Sequence, residues 1–417
     1  MCMIFDQVSP TVGSTTPQQR AIVVGGSLGG LTAALILRDL GWSVDVLERS
    51  TQPLTARGVG IVAHPATVRY LIERRNTNLR AMAEASRFVR YMDSNGAIVH
   101  EVRADYAFTS YYSLLRELVD SFDDERYHLG EQVTGMDQDD SGARVTTQAG
   151  ASYDADLVVF ADGVHSTGRR LIAPEARREY AGYVAWRGMV SEQNLSEETF
   201  SLLSESITYH LLDDGHLLAY PIPNLDGEIE RGNCIINWIW YVNVDAAGLG
   251  PLMTDEKGVL HNTSLSPKSV RPDVVSEMRE TAQRLLAPPL AEMIARSSDP
   301  FLQEIIDIDV PRLVRGRACL IGDAATVLRP HVAVGTAKAA QAAWALGDAL
   351  EAADNNVPAA LREWEASQMA IEQSVLRRTQ EAGKRYQLDN SWEVGASLPF
   401  GLLNEGDSVM RLKDQIV

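Results

Sequence analysis

Six residues near the start of the chain, Gly25-Gly26-Ser27-Leu28-Gly29-Gly30, are compatible with two chemistries. Read as G-x-S-x-G, they expose Ser27 as the nucleophile of a hydrolase elbow. Read as a near match to G-x-G-x-x-G, with Ser27 at the middle glycine, they cradle a dinucleotide. The second reading requires an acidic side chain about 20 residues on, to accept hydrogen bonds from ribose hydroxyls. Glu48 meets that demand at the end of VDVLE. Gly25 then permits the tight turn, Gly30 allows close helix packing, and helix amides face the pyrophosphate. Ser27, Leu28 and Arg49 complete this first set of candidate contacts. The hydrolase reading is the weaker one, since few residues precede Ser27 and no HGGG-like oxyanion loop stands upstream.

Other residues could also do chemistry. Asp162-Gly163-Val164-His165-Ser166-Thr167-Gly168-Arg169 fits D-G-x-x-S-x-x-R, and Gly322-Asp323 follows the apolar run ACLI. Pro330 and Gly335 come shortly after, before a helical pattern. In HLLAY, His216 and Tyr220 fall on one face of an expected strand. A histidine titrating near neutrality suits proton removal from a substrate hydroxyl, and a tyrosine hydroxyl suits its orientation. A solvated His216 beside Asp213 and Asp214 is the competing reading. Tyr183 and Arg187 also share a face; Arg187 is a candidate for a cofactor edge, an acidic substrate group or a domain-bridging contact. Trp238 and Trp240 lie opposite Asn237 and Tyr241 and read as a core pair. His331, beside Pro330, stays open between catalysis and packing.

The elements that must position these residues have contrasting textures. AIVVG, a helical LTAALILRDLG and SVDVLE form a βαβ unit. RFVRYMDSNGAIVHEV reads as a hairpin turning at Asn95-Gly96. DLVVFADG and ACLIGDAAT read as buried strands feeding turns, whereas residues 180–243 are antiparallel in character, with a hairpin turn at Asp213-Asp214-Gly215. Residues 336–386 look helical and those beyond 390 irregular.

Bulk properties narrow the partners. The chain has 417 residues with 38 Lys and Arg against 56 Asp and Glu, a net charge of −18, which argues against nucleic acid or an anionic membrane as main partner. Cys2, Cys234 and Cys319 are too dispersed for a disulfide framework or zinc knot, and no metal-ligand cluster is visible. No apolar run is long enough to span a bilayer, and the first residues lack the pattern of a secretory signal. The expected compartment is the cytoplasm.

With three ordered motifs between residues 25 and 345, the chain resembles the single-component FAD-dependent aromatic hydroxylases, the flavoprotein monooxygenases of the 4-hydroxybenzoate hydroxylase class. The pieces GGSLGGLTAAL, YAGYVAWRG, LLDDGHLLAYPIP and GDAATVLRPH are most similar to members acting on hydroxypyridines. The resemblance implies FAD as cofactor, NADH or NADPH as transient co-substrate, and O2-dependent hydroxylation of a hydroxypyridine or phenol through a flavin C4a-hydroperoxide. Decarboxylating hydroxylation and tailoring of a larger natural product are the alternatives. A homodimer stays open. Asp323 is thereby assigned to the ribityl chain, and the loop from Pro330 through Gly335 to Thr336 to the isoalloxazine ring. Asp162 and Arg169 belong to a motif linked to both FAD and NAD(P)H, with a structural ion pair as the alternative for Arg169. His216, Tyr220 and Arg187 become the candidate catalytic residues. Three departures stand out: Thr326-Val327 where many relatives carry His-Pro, Tyr111 near a common flavin-contacting Arg, and Ala342 where an Asp is common.

The expected fold is α/β: a Rossmann-like FAD-binding domain with an inserted, mainly antiparallel substrate domain and a long C-terminal helical region. The expected boundaries are a flexible lead-in over 1–18; a discontinuous FAD-binding domain from 19–86, 98–175 and 300–345; a substrate domain from 87–97 and 176–299; a helical region over 346–390; and a tail over 391–417.

Overall fold

Every residue of the strand Arg20–Val24 after Arg20 is buried, as a continuous apolar run demands of a strand covered on both faces. In this computed structural model, which describes residues 18–54, 60–122, 124–224 and 232–407, that strand is central to a six-stranded sheet. The order is Val314–Arg315, Ala318–Leu320, Leu157–Phe160, Arg20–Val24, Ser43–Glu48 and Tyr127–Leu129. Only the Val314–Arg315 edge pairs antiparallel. The first strand has its sequence neighbour on one side and a late strand on the other. This is a topological switch point, where a crevice opens beyond the carboxyl ends of the strands. The loops after Val24, Phe160 and Leu320 meet there, tied by Ala161 N–H to the Val24 carbonyl (2.7 Å) and Ile321 N–H to the Phe160 carbonyl (3.0 Å). The expected lead-in lies outside the described residues except for Gln18, as do Cys2 and residues 408–417 of the tail.

The second sheet has nine strands, in the order Ser264–Leu265, Phe301–Asp309, Arg177–Ser191, Ile235–Asn243, Gly215–Ile222, Ser206–Leu212, Glu84–Met92, Ile98–Ser110 and Gly60–Val62. Its pairs are antiparallel apart from Ser206–Leu212 with Glu84–Met92. Strand alternation divides its side chains between two cores. Tyr183, Tyr209, Tyr220 and Tyr241 face inwards, whereas Trp186, Trp238 and Trp240 pack outwards against the helices Pro272–Leu285 and Pro288–Arg296. The tryptophan pair is therefore core. Both expected hairpin turns form, at residues 93–97 and at Asp213-Asp214.

Two stretches assigned above to the FAD-binding domain, within 98–175 and 300–345, contribute strands Ile98–Ser110 and Phe301–Asp309 to this nine-stranded sheet. The reason is register: each pairs with a long neighbour, Glu84–Met92 and Arg177–Ser191 respectively. The run expected to be helical over 336–386 is two helices, Gly335–Ala352 and Val357–Gly383. The break holds Asp354 and Asn355 at φ of 49° and 61°, left-handed values that end a helix. Residues 391–407 are irregular, yet Trp392, Leu398, Phe400 and Leu402 are buried against the inner face of the large sheet.

Candidate active site

The turn after the first strand is shaped by two glycines. Gly25 has φ +104°, and a Cβ there would strike the Ala161 carbonyl; a Cβ on Gly30 would strike the Gly25 carbonyl. Only bare backbone permits this approach of loop, strand end and helix. Glu48 is buried at the end of its strand and accepts from Gly26 N–H and Ser50 N–H, both at 2.8 Å. Leu28 is the buried first residue of the helix Leu28–Asp39, and Arg49 is exposed just beyond Glu48. Ser27 Oγ lies 2.6 Å from the Tyr111 hydroxyl, so Tyr111 anchors the loop where relatives commonly have Arg. Tyr127 donates to the Gly26 carbonyl at 2.8 Å. No imidazole bonds Ser27 among the described residues, which leaves the hydrolase elbow without its base.

Asp162 is committed elsewhere than expected. Its carboxylate accepts from Ser166 Oγ (2.5 Å), Thr167 N–H (2.6 Å) and Gly168 N–H (3.2 Å), capping the helix Thr167–Ile172. Burial raises its pKa, and those bonds oppose the rise. Arg169 bonds the carbonyls of Asp323 (2.9 Å), Ala324 (3.1 Å) and Val164, bracing one cofactor loop against another through carbonyls instead of an ion pair. Asp323 is exposed in the crevice, and its carboxylate has no hydrogen-bond partner among the described residues. A glycine cradle, a buried glutamate and an available aspartate fit a dinucleotide bearing ribose and ribityl hydroxyls.

Behind Asp323 lies a network that explains one departure. Lys338, wholly buried, donates to the carbonyls of Gly322 and Thr326 and to Thr326 Oγ1, each at 2.8 Å, and pairs with buried Glu372 at 3.1 Å. Thr326 Oγ1 donates in turn to Glu372. Ala342 lies under Trp364, whose indole N–H donates to its carbonyl at 3.0 Å.

A cavity of 230 Å³ lies between the inner face of the large sheet and the loop Pro330–Thr336. His216, Tyr220 and Arg187 all line it, so the three candidates converge, and Pro330, Gly335 and Thr336 form the opposite wall. The Tyr220 hydroxyl is engaged, donating to the Gly60 carbonyl at 2.8 Å, while its ring stacks on Phe108 at 4.3 Å. Gly60 N–H donates to Asn237 Oδ1 at 3.1 Å, so Tyr220 and Asn237 clamp both sides of Gly60. Arg187 Nη1 donates to Gln303 Oε1 at 3.0 Å, and its buried Nε has no partner among the described residues.

The tautomer of His216 follows from its neighbours. The Gln387 carbonyl can only accept, so the Asn243 group 3.1 Å away is its NH2, which leaves Asn243 Oδ1 to accept from Gln387 Nε2 at 2.8 Å. Gln387 Oε1 therefore accepts from His216 Nδ1–H at 3.1 Å, and Nε2 is the acceptor. Burial pushes the pKa of His216 down to about 3, against the expectation of a group titrating near neutrality. A neutral, accepting imidazole replaces the proposed near-neutral base.

Sequence reasoning overlooked much of the rest. His331 Nε2 lies 2.7 Å from the Tyr183 hydroxyl, and burial drives its pKa far down. Tyr241 faces His216 across the strand pair, ring centroids 4.8 Å apart; alternation from Trp240 already indicated that face. Gln387, Tyr386, Trp392 and Phe400 had no local signal, because they come from a helix end and irregular chain brought in by tertiary packing.

The FAD binding domain family matches residues 18–210, and the FAD binding domain-like family residues 180–307. The chain is 38% identical over 387 residues to 2,6-dihydroxypyridine 3-monooxygenase of Paenarthrobacter nicotinovorans, spanning 92% of this chain and 96% of that protein. The solved structure of 2,6-dihydroxypyridine-3-hydroxylase from Arthrobacter nicotinovorans is similar with a TM-score of 0.87 at 36% identity, over 93% of this chain and 98% of that one. An FAD-dependent urate hydroxylase of Klebsiella pneumoniae subsp. pneumoniae is 27% identical over 404 residues, 89% of this chain and 93% of that protein.

Proposed function

Because the chain belongs to the FAD-dependent aromatic monooxygenases, we propose that its cavity binds one hydroxylated ring, a hydroxypyridine or a phenol, for hydroxylation beside the existing hydroxyl. The observation that carries this reading is the 230 Å³ cavity, walled by Phe108, Tyr220 and Tyr241 and closed by the loop Pro330–Thr336. That volume is below the roughly 300–1,000 Å³ of sites for drug-sized ligands, which favours one ring over a larger natural product.

FAD, held by the Gly25–Gly30 turn, Glu48 and Asp323, supplies the oxygen-activating redox chemistry when bound, with electrons from NADH or NADPH. His216 Nε2 accepts the hydrogen bond of the substrate hydroxyl and draws electron density towards the ring. Its neutrality matters: an imidazolium would donate and weaken that density. Arg187 Nε donates to a second oxygen on the ring, a carbonyl or carboxylate. This last contact also favours a decarboxylating variant of the reaction as second reading. Tyr220 acts through Gly60, fixing one wall, and Tyr183 and His331 hold the other. The aromatic walls exclude water from the ring.

The test is a titration of the FAD-loaded protein with hydroxypyridines and phenols, followed by flavin visible absorption. One-ring compounds are expected to perturb the spectrum, and Arg187→Met is expected to weaken compounds carrying a second oxygen roughly tenfold or more. Spectra unmoved by every one-ring compound would contradict the assignment.

A further inference from the structure

The outer face of the large sheet, remote from this cavity, carries a second recess of 1180 Å³ between the strands and the helix Pro272–Leu285. Three exposed apolar side chains from separate elements converge on it: Val99, Leu285 and Val394, at 53%, 45% and 50% exposure. Scattered exposed apolar residues need no explanation, but a shared recess marks an interaction site. Its charge is one-sided. Asp93, Asp213, Asp214 and Glu277 line it, and no Lys or Arg does. Asp93 is committed to the amides of Asn95 and Ala97, whereas the carboxylates of Asp213, Asp214 and Glu277 have no partner among the described residues.

One buried group points to a ligand independently of that charge. His210 also lines the recess at 2% exposure. Its Nδ1 lies 2.9 Å from the Met92 carbonyl, which only accepts, so the proton sits on Nδ1. Nε2 is then a buried acceptor without a partner among the described residues. Such a group calls for a donor. Trp186 and Trp240 contribute indole surface nearby, which attracts cations.

We propose that this recess binds a small hydrophobic amine. Its ammonium is neutralised by Asp213, Asp214 and Glu277, an N–H satisfies His210 Nε2, and its apolar body covers Val99 and Leu285. An anion is repelled by the same carboxylates.

Isothermal titration of the FAD-loaded full chain with tryptamine, tryptophol and indole-3-acetate tests this, since the three share a ring and differ in charge. Tryptamine is expected to bind at least roughly tenfold more tightly than tryptophol, with no binding of indole-3-acetate. The triple variant Asp213→Asn, Asp214→Asn, Glu277→Gln lies outside the active site and is expected to keep turnover while losing roughly tenfold in tryptamine affinity. Equal binding of the three probes, no heat with tryptamine, or unchanged affinity in the triple variant overturns the proposal. So does a dimer that excludes tryptamine until Leu285→Glu separates it, because the recess would then be a subunit interface.

Discussion

His216 contributes to the fold and to the chemistry through the same fact, its neutrality. In the unfolded chain it titrates near the ordinary value of about 6.5, and in the folded protein burial moves it to about 3. Between those values the unfolded chain holds a proton that the folded protein lacks. Stability is therefore lost as pH falls through this window, by at most about 1.4 kcal/mol per pH unit for this one side chain. His216→Asn keeps a donor for Gln387 and removes the titration. Its unfolding free energy, from urea melts at pH 7 and pH 5, is expected to drop less than that of the parent protein; equal drops contradict the assignment. His216→Ala is expected to lower turnover roughly tenfold, the worth of one hydrogen bond, with FAD still bound. Tyr220→Phe is expected to leave the Gly60 carbonyl without its donor, costing about 1–3 kcal/mol of stability and lowering turnover, again with FAD retained.

At the scale of elements, the loop bearing Asp323 depends on two helices through Lys338 and Glu372. Lys338→Met strands the buried Glu372 carboxylate, and a loss of about 3–5 kcal/mol is expected in denaturant melts. Adding Glu372→Leu is expected to restore most of it, and no restoration would show that the charge pair is incidental. The C-terminal strap is held as specifically. Asp407 accepts from the amides of Leu402 (2.6 Å), Leu403 (2.7 Å) and Asn404 (3.0 Å) and pairs with His64 at 3.1 Å, and Arg378 bonds the carbonyls of Gly401 and Leu402. Because Trp392, Pro399 and Phe400 line the cavity, Asp407→Ala is expected to admit water and raise the fraction of NAD(P)H oxidised to peroxide. An unchanged peroxide fraction would remove the strap from the site's wall.

Across the whole molecule, the cofactor crevice is legible in the sequence because each of its loops is local: an apolar strand, a glycine turn, a helix. The convergence of His216, Tyr220 and Arg187 is legible for a related reason, since strand alternation alone assigns a face. The tautomer of His216 is not, because it is set by Asn243 and Gln387, and Gln387 reaches the sheet only through tertiary packing. The boundary between the two sheets is equally hidden, since Ile98–Ser110 and Phe301–Asp309 take their place from pairing with distant strands. What joins the halves is a cavity sized for one ring, beneath the loop that follows Asp323. The most direct measurement supplies the FAD-loaded protein with NADH or NADPH, isotopically labelled dioxygen and a panel of hydroxypyridines and phenols, and weighs the products. A one-ring product carrying a single labelled oxygen beside its original hydroxyl is the expected result; unlabelled product, or peroxide alone across the panel, contradicts it.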